Sequence, residues 1–393
     1  MNKMKDGEYR TTMLDCAEGD CFFLEFCFDS MEYTILVDTG PGACWTTSLK
    51  PFLDQLIAKK KKINVLVITH IDSDHIGGAI KLFQSEEYSG LVDEVWFNGL
   101  KQVLNIDAVS SVSGNQAAYQ RIIFQHLHND SLDGVHPISA KQALSLGCLL
   151  TRCGKTTRRI TCDTPPLILT DSFRIDFLLP TASQLIALQK HFLRHLRQVG
   201  GGKQIFLTPE GEIAFEHLLR DEDTTNWDIR PISQTSLDIH RIEKWAAATS
   251  DESQSVTNTS SIAICITFYG KCFLFPGDAA GQDILTAVME KKLPSNYEII
   301  KLPHHGSTRN CLSLLEKLDG KIYLISTDSK RFQHPGKETL AKLVTRHTVG
   351  TRHLVFNYHS PMFELFHNAW CEDKYCYHSI VSSIITNEKG DYP

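Results

Sequence analysis

Ten consecutive residues concentrate the chemistry of this chain: Thr69-His70-Ile71-Asp72-Ser73-Asp74-His75-Ile76-Gly77-Gly78. Two histidines and two aspartates lie between His70 and His75. Imidazole nitrogen and carboxylate oxygen are donors that divalent metals accept, and such groups on one turn can converge on an ion. Read blandly, the same residues form a polar loop whose Asp and His side chains cap a helix. Two carboxylates held together without a cation resist ionising, which favours the metal reading. The glycine pair is expected to let the backbone turn sharply and start the next helix close to the site.

The surrounding pattern says what must position these groups. Ile63-Asn64-Val65-Leu66-Val67-Ile68-Thr69 is β-branched and apolar, as a buried strand requires, so the His/Asp cluster sits on the loop that follows it. Earlier strands are predicted at Phe22–Phe26 and Tyr33–Asp38, and a helix over Leu49–Lys60 from the spacing of Phe52, Leu53, Leu56 and Ile57. Another helix is expected from about Gly78 to Gln84, and a strand over Val92–Phe97. Further on, the expected elements are a helix over Asn115–His128, a strand over Phe173–Leu179 and a helix over Ala182–Val199. Residues 203–257 are polar and turn-rich, and 185–257 is read as an insertion or lid. A hairpin around Tyr269-Gly270, a strand ending at Leu302, a strand Lys321–Ser326 and a helix Lys337–Thr345 complete the pattern. Two βα halves of this kind predict an α/β (α+β) four-layer αββα sandwich, one domain spanning 8–393, rather than one doubly wound sheet.

Composition narrows the class. The chain has 393 residues, 42% hydrophobic and 22% charged, which excludes disorder, collagen-like repeats and a disulfide miniprotein. With 40 Lys+Arg against 46 Asp+Glu the net charge is −6, so binding of nucleic acid or anionic membrane would need a local basic patch. A polar start without an apolar core, and no long apolar run, predict a cytoplasmic protein with no membrane partner. The twelve cysteines, none in C-x2-C spacing, are expected to be reduced and structural.

The His/Asp cluster resembles the H-x-H-x-D-H motif of the metallo-β-lactamase superfamily, with Asp72 in place of the second His. That variant is similar to the hydrolase domain of bacterial competence (DNA-internalisation) proteins and their soluble relatives. Other segments extend the resemblance in order: Leu14-Asp15-Cys16-Ala17-Glu18-Gly19-Asp20, Val37-Asp38-Thr39-Gly40, Asn258-Thr259-Ser260-Ser261, Phe275-Pro276-Gly277-Asp278, Lys301-Leu302-Pro303-His304-His305-Gly306-Ser307 and Gln333-His334-Pro335. Each is short, and their order along residues 14–335 carries the weight.

The resemblance implies a site for one or two divalent ions, zinc or manganese. His70 and Asp72 would hold one, Asp74 and His75 the other, and Asp278 would bridge them. The last ligand is left among His304, His305 and His334. The resemblance favours His334 as the metal ligand, so that His304 or His305 faces the substrate as general acid or oxygen donor. Asp38 would orient a ligand His, and Asp20 is read as structural. A third His found in many superfamily members has no counterpart in Leu179-Pro180-Thr181-Ala182-Ser183. His126, His128 and His136 are remote substitutes, so the first ion would bind weakly, favour manganese or be absent.

A hydrolase follows from this reading, with a metal-bound hydroxide as nucleophile and Asp74, His304 and His305 as catalytic residues. The oxygen donor Asp72 and the His304-His305-Gly306-Ser307-Thr308 loop tip the substrate toward a phosphodiester, nucleic acid or nucleotide. Lys190, His191, Arg194, His195 and Arg197, or Arg152, Lys155, Arg158 and Arg159, would then track a nucleic-acid backbone, or else be ordinary solvated surface. The alternatives are a carboxylic-ester, thioester or lactone hydrolase of the same fold, and a non-enzymatic module with a remnant metal site.

Overall fold

The computed structural model describes residues 4–104, 145–155, 157–198, 209–219, 237–249, 255–346 and 350–387. The helix expected over Asn115–His128, together with His126, His128 and His136, lies outside them. Two sheets face each other. The first has seven strands in the order β15-β1-β2-β3-β4-β5-β6: β1 Tyr9–Met13, β2 Phe22–Phe28, β3 Met31–Val37, β4 Ile63–Val67, β5 Val92–Trp96, β6 Thr157–Arg158 and β15 Ile384–Thr386. The second has eight, β14-β13-β12-β11-β10-β9-β8-β7: β7 Leu167–Thr170, β8 Phe173–Leu179, β9 Ala263–Phe268, β10 Lys271–Phe275, β11 Asn296–Lys301, β12 Asp319–Ile325, β13 Arg352–Phe356 and β14 Tyr377–Val381.

Between the sheets lies an aromatic layer. Phe26 of β2 meets Phe268 of β9 at 5.0 Å and Phe273 of β10 at 5.4 Å, both edge to face, and Tyr9 meets Phe273 at 4.8 Å. Each such pair is worth about 0.5–1.5 kcal/mol beyond the area it buries. The outer face of the first sheet is covered by helices Lys50–Ala58, Ser73–Phe83 and Ala182–Gln198, which contribute Leu53, Leu82, Leu188 and Phe192 to a second core. A third core joins the other outer face to helices Gly281–Glu290, Thr308–Lys317 and Lys337–Thr345 through Ile284, Leu314 and Leu340. The result is the expected four-layer αββα sandwich. β4 reads as a mainly apolar run, interrupted only by the half-buried Asn64, because it is covered on both faces.

Described parts of 185–257 pack into both helical layers. Phe192 and Phe215 stack edge to face at 5.2 Å on one side, and Ile242 is buried against the other. Among the described residues, no helix is long and apolar enough to cross a membrane.

The pairing direction decides where a site can form. β3, β4 and β5 run parallel, as do β10 to β14, so their C-terminal ends collect at one end of each sheet. There the two sheets are stitched together: Ile262 N–H donates to the Thr69 carbonyl (2.8 Å) and the Ser326 hydroxyl to the Gly19 carbonyl (2.8 Å).

Candidate metal centre

Asp72 is the N-cap of helix Ser73–Phe83, so His70 stays on the loop while Asp74 and His75 sit in the first helical turn. Gly77 and Gly78 are inside that helix, not at a sharp turn. Their role is close approach. A Cβ on Gly78 would lie 2.2 Å from the Thr39 carbonyl oxygen, and one on Gly77 would lie 2.3 Å from the Gly42 nitrogen. The loop carrying Asp38 is thereby pressed against the helix carrying His75.

Three histidines share one pattern. His75 Nδ1 is 2.8 Å from Asp38 Oδ2, and Asp38 is itself fixed by the Thr69 N–H (2.8 Å) and hydroxyl (2.7 Å). His70 Nδ1 lies 3.0 Å from Thr69 Oγ1, whose proton is committed to Asp38. His305 Nδ1 donates to the Ser326 carbonyl (2.9 Å). In each ring an acceptor engages Nδ1 and leaves Nε2 for the centre, which is how metal-ligating histidines are oriented. The Nε2 atoms of His70, His75 and His305 are buried and make no hydrogen bond.

Carboxylates face these nitrogens. Asp278, on the loop after β10, places Oδ2 3.3 Å from His75 Nε2, 3.6 Å from His305 Nε2 and 3.9 Å from His304 Nε2. Asp74 Oδ2 is 3.2 Å from His305 Nε2 and 3.6 Å from His75 Nε2, and Asp72 Oδ2 is 3.3 Å from His70 Nε2. Among the described residues, three sets have donor atoms mutually within 4.8 Å: His70, His75 and Asp278; Asp74, His75 and His305; and Asp20, Asp38 and His75. Buried nitrogens lacking a partner, beside carboxylate oxygens at these spacings, fit divalent ions.

The electrostatics agree. Burial alone would raise Asp278, yet His75, Lys301 and His305 hold it well below the usual carboxylate range. Asp74 is likewise lowered against its burial by His75 and His305. Burial opposes charge on His305, but Asp20 and Asp278 push it up to about 10.

Of the histidines open for the last ligand, His305 joins Asp74 and His75. His334 stands one ring further out, 5.2 Å from the His304 ring and stacked on Phe332. His304 ties Nδ1 to Asn310 Oδ1 (3.1 Å) and is the more exposed of the adjacent pair. His304 and His305 both adopt left-handed backbone, with φ of 48° and 54°, as does Asp38 with φ of 56°. Such strain costs of the order of 1–3 kcal/mol per residue and collects at functional sites. The segment Leu179–Ser183 follows the end of β8 and supplies no histidine.

Two contacts beside the centre are not evident from residue spacing. Asp20, read as structural, is buried, pairs with a buried Lys301 and lies 3.3 Å from His305 Nδ1. Lys301 closes β11 directly after the buried Ile299 and Ile300, and a lysine there was the available signal. Ser261 accepts the Asp278 N–H at 3.3 Å, which gives Asn258–Ser261 a role in seating Asp278. The basic residues are mostly engaged elsewhere or fully solvated. Lys155 donates to the Val92 carbonyl, Arg159 to the Gln102 carbonyl, and Arg158 covers Phe177, while Lys190, Arg194 and Arg197 line an exposed helix face.

Residues 15–97, which include the His70–His75 loop and Asp38, match the model of the metallo-beta-lactamase superfamily. Over those residues the chain is similar to that superfamily, a class made up mostly of metal-dependent hydrolases. It is also similar to the metallo-beta-lactamase fold protein YhfI from Bacillus subtilis, at 10% identity and a TM-score of 0.36, over 98% of this chain and 100% of that one. A variant of the CmlA beta-hydroxylase is similar at 12% identity and a TM-score of 0.38, over 98% of this chain and 54% of that one. This chain therefore spans about half the length of that hydroxylase. No curated protein matches.

Proposed function

We propose that the protein is a metal-dependent hydrolase acting on phosphodiesters, nucleic acid or nucleotide. The observation that carries the metal dependence is the shared orientation of His70, His75 and His305, each with Nδ1 engaged and Nε2 free toward Asp74 or Asp278. In this reading His70, Asp72 and Asp278 would hold one ion, and Asp74, His75 and His305, with Asp278, would hold the other. Divalent ions bound there supply Lewis-acid charge and acidify a water.

The chain's own residues do the rest. Asp38 keeps His75 turned inward through Nδ1. Asn310 orients His304, whose Nε2 faces the centre from the exposed side and can carry a proton to a leaving group. Burial and the nearby His304 and His305 hold His334 well below its ordinary value, so it is neutral beside His304, with one ring N–H suited to donate to a phosphoryl oxygen of substrate. The support for a phosphodiester is the oxygen donor Asp72 in place of a nitrogen, together with the histidine pair at the rim. Phosphoryl oxygens suit such a site, because hard cations favour oxygen ligands.

Hydrolysis of bis-p-nitrophenyl phosphate with added Mn²⁺ or Zn²⁺ tests this. Turnover is expected, and Asp74→Ala and His75→Ala are expected to abolish it. Turnover of a lactone or thioester without any phosphodiester would overturn the substrate assignment, and turnover indifferent to chelators would overturn the metal.

A further inference from the structure

Lys301 has a role that neither the family motifs nor the ligand geometry assigns. Its side chain is 1% exposed at the end of β11. The ammonium has three acceptors: Asp20 Oδ2, the Gly277 carbonyl at 3.0 Å and Asp278 Oδ1 at 3.3 Å. Three donors are all a lysine has, so the group is saturated.

The two oxygens of Asp278 are thereby divided. Oδ1 faces Lys301, and Oδ2 faces the Nε2 atoms of His75, His305 and His304. We propose that Lys301 is a positioning residue that occupies Oδ1 and so presents Asp278 to the ions through the single oxygen Oδ2. This rests on the metal-site reading above. The terminal torsion of an aspartate is broad, and with both oxygens free the carboxylate can rotate and chelate one ion. A buried ammonium on Oδ1 opposes that rotation. Backbone anchors complete the clamp: the Asp278 N–H donates to Ser261 Oγ at 3.3 Å, and the Asp278 carbonyl accepts from Asn310 Nδ2 at 2.9 Å. Asp20 extends the device, since its Oδ1 lies 3.3 Å from Nδ1 of His305. One ion pair thus sets the presentation of both Asp278 and His305.

A test must separate positioning from plain stability. The single change Lys301→Met leaves Asp20 buried without its cation, which is strongly destabilising in itself. The neutral double variant Asp20→Asn/Lys301→Met removes both charges, a replacement that proteins commonly tolerate. Titrated with Co²⁺, it is expected to bind the same number of ions as wild type but to show a changed visible absorption spectrum. For bis-p-nitrophenyl phosphate, kcat is expected to fall about 100-fold while KM moves less than about threefold. Lys301→Arg, which keeps the charge, is expected to recover turnover to within about tenfold of wild type. A double variant with the wild-type cobalt spectrum and turnover would refute the proposal, and so would one that binds no cobalt. If wild type takes up cobalt but cleaves no phosphodiester, the substrate reading fails while the spectra still decide the part played by Lys301.

Discussion

His75 and Asp38 meet at 2.8 Å, both fully buried, and their contact joins the loop after β3 to the first turn of helix Ser73–Phe83. The carboxylate fixes Nδ1 as the engaged nitrogen and directs Nε2 toward Asp278 Oδ2, 3.3 Å away. Loss of such an orienting partner typically costs about 10–100-fold in metal affinity. Asp38→Ala is therefore expected to weaken Co²⁺ or Zn²⁺ binding by that factor while leaving ion stoichiometry at saturation unchanged. Competition titration against a chromophoric chelator measures it. Affinity equal to wild type would show that His75 needs no partner.

The glycine pair after the cluster makes a second expectation. Gly78 packs against the loop after β3 so closely that a methyl group would sit 2.2 Å from the Thr39 carbonyl oxygen, 2.7 Å from Leu49 and 2.9 Å from Thr39 Cβ. Backbone cannot yield as a flexible side chain can. Gly78→Ala should cost about 1–3 kcal/mol or more, as overpacking does. Exposed helical positions behave oppositely, gaining from Gly to Ala. Denaturant melts that show Gly78→Ala as stable as wild type would mean the loop moves away freely.

How far the sequence announces this arrangement follows from particular residues. β4 and the cluster His70–His75 are legible because one local segment holds both the apolar strand and the ligand-type groups. Asp278 is legible only through the ordered motifs, since nothing within Pro276-Gly277-Asp278 sets it apart from a turn. Which of His305 and His334 comes within reach of Asp74 is not a local matter. It depends on the left-handed bend at His304–His305, which turns His305 inward, and on the Ser326 carbonyl reached from the neighbouring strand β12. The Lys301–Asp20 pair joins residues from the two sheets, and no spacing rule connects them. The strands after residue 350 gave no motif, yet β15 pairs with β1 and closes the edge of the first sheet.

Glu212 supplies a pH dependence away from the centre. It lies on helix Pro209–Leu219 against Gly147, and burial, reinforced by the neighbouring Glu216, pushes its carboxyl up from 4.5 to about 7. N–H groups of Leu100 and Lys101 and the Lys101 charge offset part of that rise. Between pH 4.5 and about 7 the folded state holds a proton that the unfolded chain has lost. Stability linked to Glu212 is thus full below the lower value and lost as pH rises through the upper one. Glu212→Gln should flatten this slope and stabilise the protein at pH 8 by up to about 3 kcal/mol. Urea melts at pH 5 and pH 8 make the comparison, and equal slopes in the two proteins would place the titration elsewhere.

The last ligand is decided by comparing two single variants. His305 Nε2 lies 3.2 Å from Asp74 Oδ2 and makes no hydrogen bond, whereas His334 packs against the His304 ring on the outer side. A ligand and a substrate-facing group fail differently. His305→Ala should lower the number of ions bound at saturation and abolish turnover. His334→Ala should keep the wild-type ion count and lower kcat/KM, by roughly 10–100-fold if the lost contact is one hydrogen bond to a charged oxygen. Bound ions also stabilise the fold, by about 2.7 kcal/mol when free metal is a hundred times Kd. The metal-induced rise in Tm should therefore persist in His334→Ala and shrink in His305→Ala. Elemental analysis of the dialysed variants, with melting curves with and without Zn²⁺, gives both readouts. The reverse pattern, with His334→Ala losing the ion, would move the ligand to His334 and leave His305 at the rim with His304.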